Sequence, residues 1–324
     1  MNSLVKKILS VSIKILIIGL AFSYIFKKLT ENQGISNFKI LLSDLSSAKV
    51  WLVLSVVCLL MFLNWFLEAL KWKFLLQKVE EISVWKAVES VFCGLTWAVF
   101  TPNRIGEYGG RVFFLSPRKR IMGVVAMFVG LFSQLVINCV LGSIALFWFV
   151  FNFINLNPYL LFGIGTLIFI FCVFFLLFYF NIHWIDGLLS GISFMKRYDR
   201  FISIFSRYNK SELLRVLIYA VSRYFIFTTQ YYLVIHLLLP EISALNIIMI
   251  LFILYFIQSV IPSIDLLDIG VRAGTASYLF SFVTDQEVAI IASTASIWLV
   301  NLIIPAILGS VFVLKLKFFD STPN

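Results

Sequence analysis

Charge is what this sequence has least of. Only 13% of its 324 residues are Asp, Glu, Lys or Arg, about half the share in an ordinary soluble domain. That scarcity excludes a soluble globular fold, because a chain of this length cannot hide nearly all of its side chains in one or two cores. Histidine is limited to two residues, His183 and His236, both at the ends of apolar runs. No HExxH, GxSxG, Walker or dinucleotide-binding pattern occurs. The four cysteines, Cys58, Cys93, Cys139 and Cys172, lie inside apolar stretches without CxxC or metal-ligand spacing, and read as small hydrophobes. Neither a metal nor a cofactor is expected.

What is abundant is apolar. Hydrophobic residues make up 61% of the chain, Phe alone contributes 35, and the mean hydropathy is +1.00. The fold class expected is an all-α polytopic membrane protein. The net charge of +10 would suit nucleic acid on a soluble face, but here the basic residues stand between apolar runs, as in cytoplasmic loops facing anionic lipid. No nucleic-acid partner is expected.

A helix needs about 20 apolar residues to cross a bilayer. Six segments reach that length, at about 8–27, 50–70, 121–148, 158–180, 216–238 and 286–314. Lys6, Lys7 and Lys14 place the N-terminus inside. Lys71, Lys73 and Lys78, then Arg118-Lys119-Arg120, then the amphipathic loop at about 182–215, and finally Lys315 and Lys317 fall on the same side. Both termini are thus expected to be cytoplasmic in a bacterial inner membrane. The connection between the first two spans conflicts with the rule, carrying Lys27, Lys28, Lys39 and Lys49, and its segment 35–48 reads as an interfacial amphipathic helix.

Two apolar stretches remain. Residues 84–116 break at Thr101-Pro102-Asn103-Arg104, and 246–283 break at Ile261-Pro262-Ser263. Each must enter and leave on one side, which makes it a re-entrant hairpin. Such irregular backbone is tolerated at membrane depth only against protein or a water-filled cavity. The alternative is eight full spans.

The two breaks resemble each other. Pro102 is followed by Arg104, Gly106, Glu107 and Arg111, and Pro262 by Asp265, Asp268, Gly270 and Arg272. The prolines and the glycines Gly106 and Gly270 read as the breaks. The i,i+4 offset sets Glu107 beside Arg111 and Asp268 beside Arg272. With their flanks, about 50–148 and 216–314 form an inverted repeat within a single transmembrane domain, an arrangement that puts a substrate site at the repeat interface.

Ionisable groups at membrane depth cost roughly 2.5–3.5 kcal/mol each. Either the acids neutralise the arginines and lock the hairpins, or Arg104, Arg111 and Arg272 form an anion site that clamps phosphate bidentately. Asp265 is a helix N-cap or a protonatable carboxylate. Arg223 contacts a headgroup or snorkels to the surface. Glu89 partners Arg104 or lies at the interface near Lys86. Gln134, Asn138, Gln230, Gln258 and Asn301 read chiefly as interhelical glue.

Through Pro102–Arg111 and Pro262–Arg272 the chain resembles the flippase-like family named for the transmembrane region of lysylphosphatidylglycerol synthases. The resemblance covers about 10–315 and implies movement of a lipid with an anionic or modified headgroup between leaflets, either an anionic phospholipid or a polyprenyl phosphate. Two departures stand out. No aminoacyl-transferase domain follows, so lysine transfer is not expected, and Ile264-Asp265 stands where the second repeat often carries Gly-Gly. The leading expectation is a lipid transporter rather than an enzyme. A membrane-embedded glycosyl- or group-transferase using Glu107 or Asp268 as base, and an accessory subunit of envelope assembly, are the rivals. A homo-oligomer is compatible with all three.

Overall fold

The computed structural model describes residues 3–31, 33–43, 45–101, 104–190, 199–260 and 265–316, and these are helical almost throughout. The helices run α1 (Ser3–Glu31), α2 (Gln33–Ser43), α3 (Ser47–Leu76), α4 (Val84–Val99), α5 (Ile105–Val112), α6 (Arg120–Phe153), α7 (Pro158–Phe180), α8 (His183–Ser190), α9 (Asp199–Ile202), α10 (Lys210–Leu238), α11 (Ala244–Val260), α12 (Asp265–Phe280), α13 (Glu287–Trp298) and α14 (Ile304–Val313). A π-turn, Leu299–Ile303, joins the last two into one rod. Among the described residues, four stretches are long and apolar enough to cross a membrane: Ser47–Leu76, Pro117–Phe153, Pro158–Phe180 and Glu287–Val313. The protein is an all-α polytopic membrane protein.

Local chemistry starts and stops these helices. Asn209 and Glu212 close a capping box at the head of α10. Asn157 caps α7 ahead of Pro158 at its first turn, and the Ser83 hydroxyl accepts from the Lys86 amide at the start of α4. The segment leading into α10 packs on the end of α3, where the Tyr208 hydroxyl donates to the Leu75 carbonyl at 2.7 Å and Lys78 pairs with Glu212 at 2.6 Å.

Two segments are too short to cross. α4 has 16 residues and α11 has 17, about 24–26 Å of helix against a hydrocarbon core of about 30 Å. Both are hairpin limbs. In the first hairpin, α5 returns antiparallel to α4, so close that a Cβ on Gly110 would stand 2.5 Å from the Gly94 Cα. Its two ends are clasped together: Glu80, before α4, accepts from the Ser116 amide at 3.0 Å and the Ser116 hydroxyl at 2.6 Å. Burial pushes the Glu80 carboxyl up, but these bonds and Lys86 outweigh it and hold it below the usual range.

The second hairpin is placed by α6, a rod of 34 residues, roughly 50 Å. α11 runs against it with Phe252 and Phe256 at the level of Gly142 and Ser259 at the level of Asn138. It therefore starts near the far end of α6 and ends at mid-length. After α12, Phe282 packs on Phe149 and Phe153, back at that far end. Ser116, at the close of the first hairpin, immediately precedes α6. The two hairpins thus enter from opposite ends of the rod.

Packing is reciprocal. Gly142 of α6 seats Phe256 of α11, where a Cβ would meet that side chain at 2.3 Å, and Gly309 of α14 seats α4, where a Cβ would meet the Phe92 carbonyl at 2.0 Å. α6 thus seats a limb of the second hairpin and α14 a limb of the first.

Candidate functional site

A cavity of about 340 Å³ is walled by α3, α4, α5, α6, α10, α11, α12, α13 and the π-turn, so that limbs of both hairpins border it. Its ionic side is built from one face of α3. Asn64, Glu68 and Lys71, at i, i+4 and i+7, point the same way from a helix that is otherwise apolar apart from serines and the lysines Lys49 and Lys73 toward its ends. The Glu68 carboxylate is 5% exposed and receives three cations. Lys71 Nζ lies at 2.7 Å, one guanidinium nitrogen of Arg111 at 2.7 Å, and Arg223 also donates to it.

Arg111, 2% exposed, donates to Glu107 with its second terminal nitrogen. Glu107 in turn pairs with Arg104 at 3.0 Å. Arg223 Nε donates to Asn64 Oδ1 at 2.9 Å, and its guanidinium lies 5.3 Å from the Trp65 ring centre. On the opposite side Arg272 donates to Gln258 at 3.0 Å. Among the described side chains lining the cavity, five cations, Lys71, Arg104, Arg111, Arg223 and Arg272, face two carboxylates. Adding Asp265 and Asp268 from the sequence would still leave cations in excess.

Backbone strain sits at the same place. Arg104 has φ 55°, the one positive φ at a non-glycine residue among the described residues, and long side chains avoid that region. Thr101 fixes the turn around it, its hydroxyl donating to the Trp97 carbonyl and accepting from the Gly106 amide, both at 2.8 Å. On the rod α13–α14, Pro305 has no N–H to offer the carbonyl of Asn301, four residues earlier. The Trp65 indole N–H donates to that carbonyl instead, at 3.1 Å, so the π-turn is held open beside the cavity.

The structure thus brings Arg104, Glu107, Arg111, Arg223 and Arg272 to one wall-to-wall site. Arg223 faces inward rather than snorkelling. The side chains of Asp265 and Asp268 lie outside the described residues, as do Pro102 and Pro262. Gly106 and Gly270 are not breaks: both lie inside helices, α5 and α12. Gly106 permits close approach to the Trp97 carbonyl, and nothing stands within 4 Å of a Cβ on Gly270. Glu89 pairs not with Arg104 but with Lys315, across α4 and the end of α14. Gln134, Asn138, Gln258 and Asn301 line the cavity, whereas Gln230 donates to the Val57 carbonyl at 2.9 Å and links α10 to α3.

Three site residues escaped the sequence reading: Asn64, Glu68 and Lys71. Lys71 served there as a marker of the inner membrane surface, yet it is 3% exposed within the bundle. The signal was present, since an acid and a lysine three residues apart on one face of an apolar span are an expensive pair to keep.

A model of the lysylphosphatidylglycerol synthase TM region matches residues 11–309. Comparison with curated proteins and with solved structures finds no match.

Proposed function

The chain belongs to the family of the lysylphosphatidylglycerol synthase TM region, and on that footing we propose that it carries a phosphate-bearing lipid headgroup between the leaflets through the cation-rich cavity. The observation that carries this reading is the excess of cations over carboxylates, among the described residues, in a cavity bordered by limbs of both hairpins. Charges withdrawn from water are costly unless compensated, and a surplus of one sign is compensated by a ligand of the other.

Guanidinium groups on Arg104, Arg111 and Arg223 offer paired N–H donors to phosphate oxygens. Arg104 sits outermost, its side chain 38% exposed, while Arg111 is enclosed, which orders them as first contact and final seat. An arriving phosphate competes with Glu68 and Glu107 for their arginines, so the acids hold the cations in place when the site is empty and release them when it fills. Asp265, Asp268 and Arg272 belong to the facing wall in this reading. The tail stays in lipid. What the site removes is the desolvation barrier of the headgroup, the main obstacle to spontaneous crossing.

Residues 50–148 and 216–314 act here as inverted repeats, and the reciprocal seating at Gly142 and Gly309 supports that. A relative tilt of the two halves would expose the cavity to one leaflet and then the other. The membrane is the bacterial cytoplasmic membrane, with both termini on its inner side.

The test is leaflet exchange of a headgroup-labelled anionic phospholipid in vesicles containing the purified protein. Exchange is expected to be protein-dependent and to fall about tenfold or more in Arg223→Gln. Exchange unaffected by Arg223→Gln, or a chemically altered lipid recovered in place of exchange, overturns the reading.

A further inference from the structure

The ionic cluster fills only one side of the cavity. Along α10 the lining passes from Arg223 through Tyr224 and Phe227 to Tyr231, two helical turns and roughly 12 Å of rise. The rings of Tyr224, Phe227, Tyr231 and Tyr255 form one cluster, with centroid separations of 5.3 Å for Tyr224–Tyr255, 5.5 Å for Phe227–Tyr255 and 6.0 Å for Tyr231–Tyr255. A phosphate bound at the arginines has no use for such a wall, so whatever is attached to the phosphate must meet it.

Polar atoms beside the rings narrow the chemistry. Tyr224 is 3% exposed and its hydroxyl has no partner, and Asn301 is 7% exposed with its Oδ1 acceptor unpaired. The Gln258 Nε2 donor is buried and unpaired as well, although its Oε1 accepts from Arg272. Each such orphan costs about 1–3 kcal/mol unless a ligand satisfies it. The three require a partner that both donates and accepts. An ammonium headgroup only donates, a trimethylammonium does neither, and both would join a site already rich in cations. Hydroxyl groups do both. A ring that carries hydroxyls at its edge and polarised C–H bonds on its face also fits the electron-rich faces of the aromatic wall.

We propose that the headgroup is a sugar joined to the phosphate, seated with the phosphate on Arg111 and Arg223, the sugar face on Phe227 and Tyr231, and its hydroxyls on Tyr224, Gln258 and Asn301. This rests on the anion-site reading given above and specifies its substrate class.

Three lipids with the same two acyl tails separate the steps: phosphatidic acid, phosphatidylglycerol and phosphatidylglucoside, whose phosphates carry nothing, glycerol and glucose. Their dissociation constants are measured by tryptophan fluorescence on the full chain in detergent. The glucoside is expected to bind about tenfold tighter than phosphatidic acid and several-fold tighter than phosphatidylglycerol. Tyr224→Phe and Phe227→Leu, which keep size and apolar character, should shrink that margin to less than about threefold, while Arg223→Gln weakens all three lipids alike. Equal binding of glucoside and phosphatidic acid sinks the sugar assignment and leaves the anion site standing. Phosphatidylglycerol matching the glucoside overturns the ring, as does a margin that survives both aromatic variants. Failure of all three lipids to bind, or binding indifferent to Arg223→Gln, removes the anion site and the sugar with it.

Discussion

The two hairpins solve one problem in different ways. The first is welded: Gly94 and Gly110 bring its limbs into backbone contact, Thr101 bridges its turn, Glu80 clasps its ends through Ser116, and Arg111 is locked between Glu107 and Glu68. The second is open. Its glycines, Gly270 and Gly274, have nothing within 4 Å of a Cβ. Arg272 reaches its own first limb at Gln258, and among the described residues no ion pair or hydrogen bond joins the start of α11 to the end of α12. Its return helix is also twice as long, 16 residues against the 8 of α5. The proposed carrier role would use both, one fixed wall to define a site and one that yields, because segments that move come from the less stabilised parts of a fold.

The largest test of this contrast is Glu68→Gln. It leaves Lys71, Arg111 and Arg223 around a neutral amide, and breaking a buried pair of this kind costs about 3–5 kcal/mol. Thermal unfolding in detergent should show it, whereas Gln258→Leu, which deprives Arg272 of one bond in the open hairpin, should cost about 1 kcal/mol. Similar losses in both would erase the distinction.

Next comes Gly110→Val. Overpacking the weld should cost about 1–3 kcal/mol, against a change within about 0.5 kcal/mol for Gly274→Val at an open site. Hydrogen exchange sharpens the same point: amides of α4 and α5 should exchange more slowly than those of α12.

The smallest effect is pH-dependent. The Glu80 carboxyl is held below its free value, so its clasp contributes fully above the pKa of a free glutamate, about 4.3, and is lost as pH falls through the lowered folded value. Ser116→Ala removes the hydroxyl donor and leaves the amide, so the variant should melt lower at neutral pH and lose less of its melting temperature than the native chain as pH falls below about 4.3. Equal losses in the two chains would show that the Ser116 hydroxyl adds nothing to the clasp.

Much of this was legible from residue spacing. Prolines and charge interrupting apolar runs located both hairpins, and the i,i+4 offset found the Glu107–Arg111 pair. Periodicity identifies the face a residue occupies, not what lies across from it. That is why the two readings open for Glu89, a pair with Arg104 or a place at the interface near Lys86, both stay within its own hairpin, while its partner Lys315 stands at the other end of the chain. Glu68 and Lys71 were overlooked because a lysine near the end of an apolar run looks like a boundary marker, and only the depth of α3 in the bundle shows otherwise. The cation excess emerges from four separate helices and has no local signature.

The π-turn at Leu299–Ile303 has a consequence for how the gene can vary. It adds a residue to one turn and so rotates everything beyond it by about 100°, carrying Gly309 onto α4 while Ala289 and Ser293, before the turn, stay buried on other neighbours. Point changes within 299–303 preserve that offset. Deletion of one residue there would swing α14 away from its seat without altering any side chain. The segment therefore tolerates change of spelling far better than change of length, and in homologous genes gaps should be rarer there than substitutions.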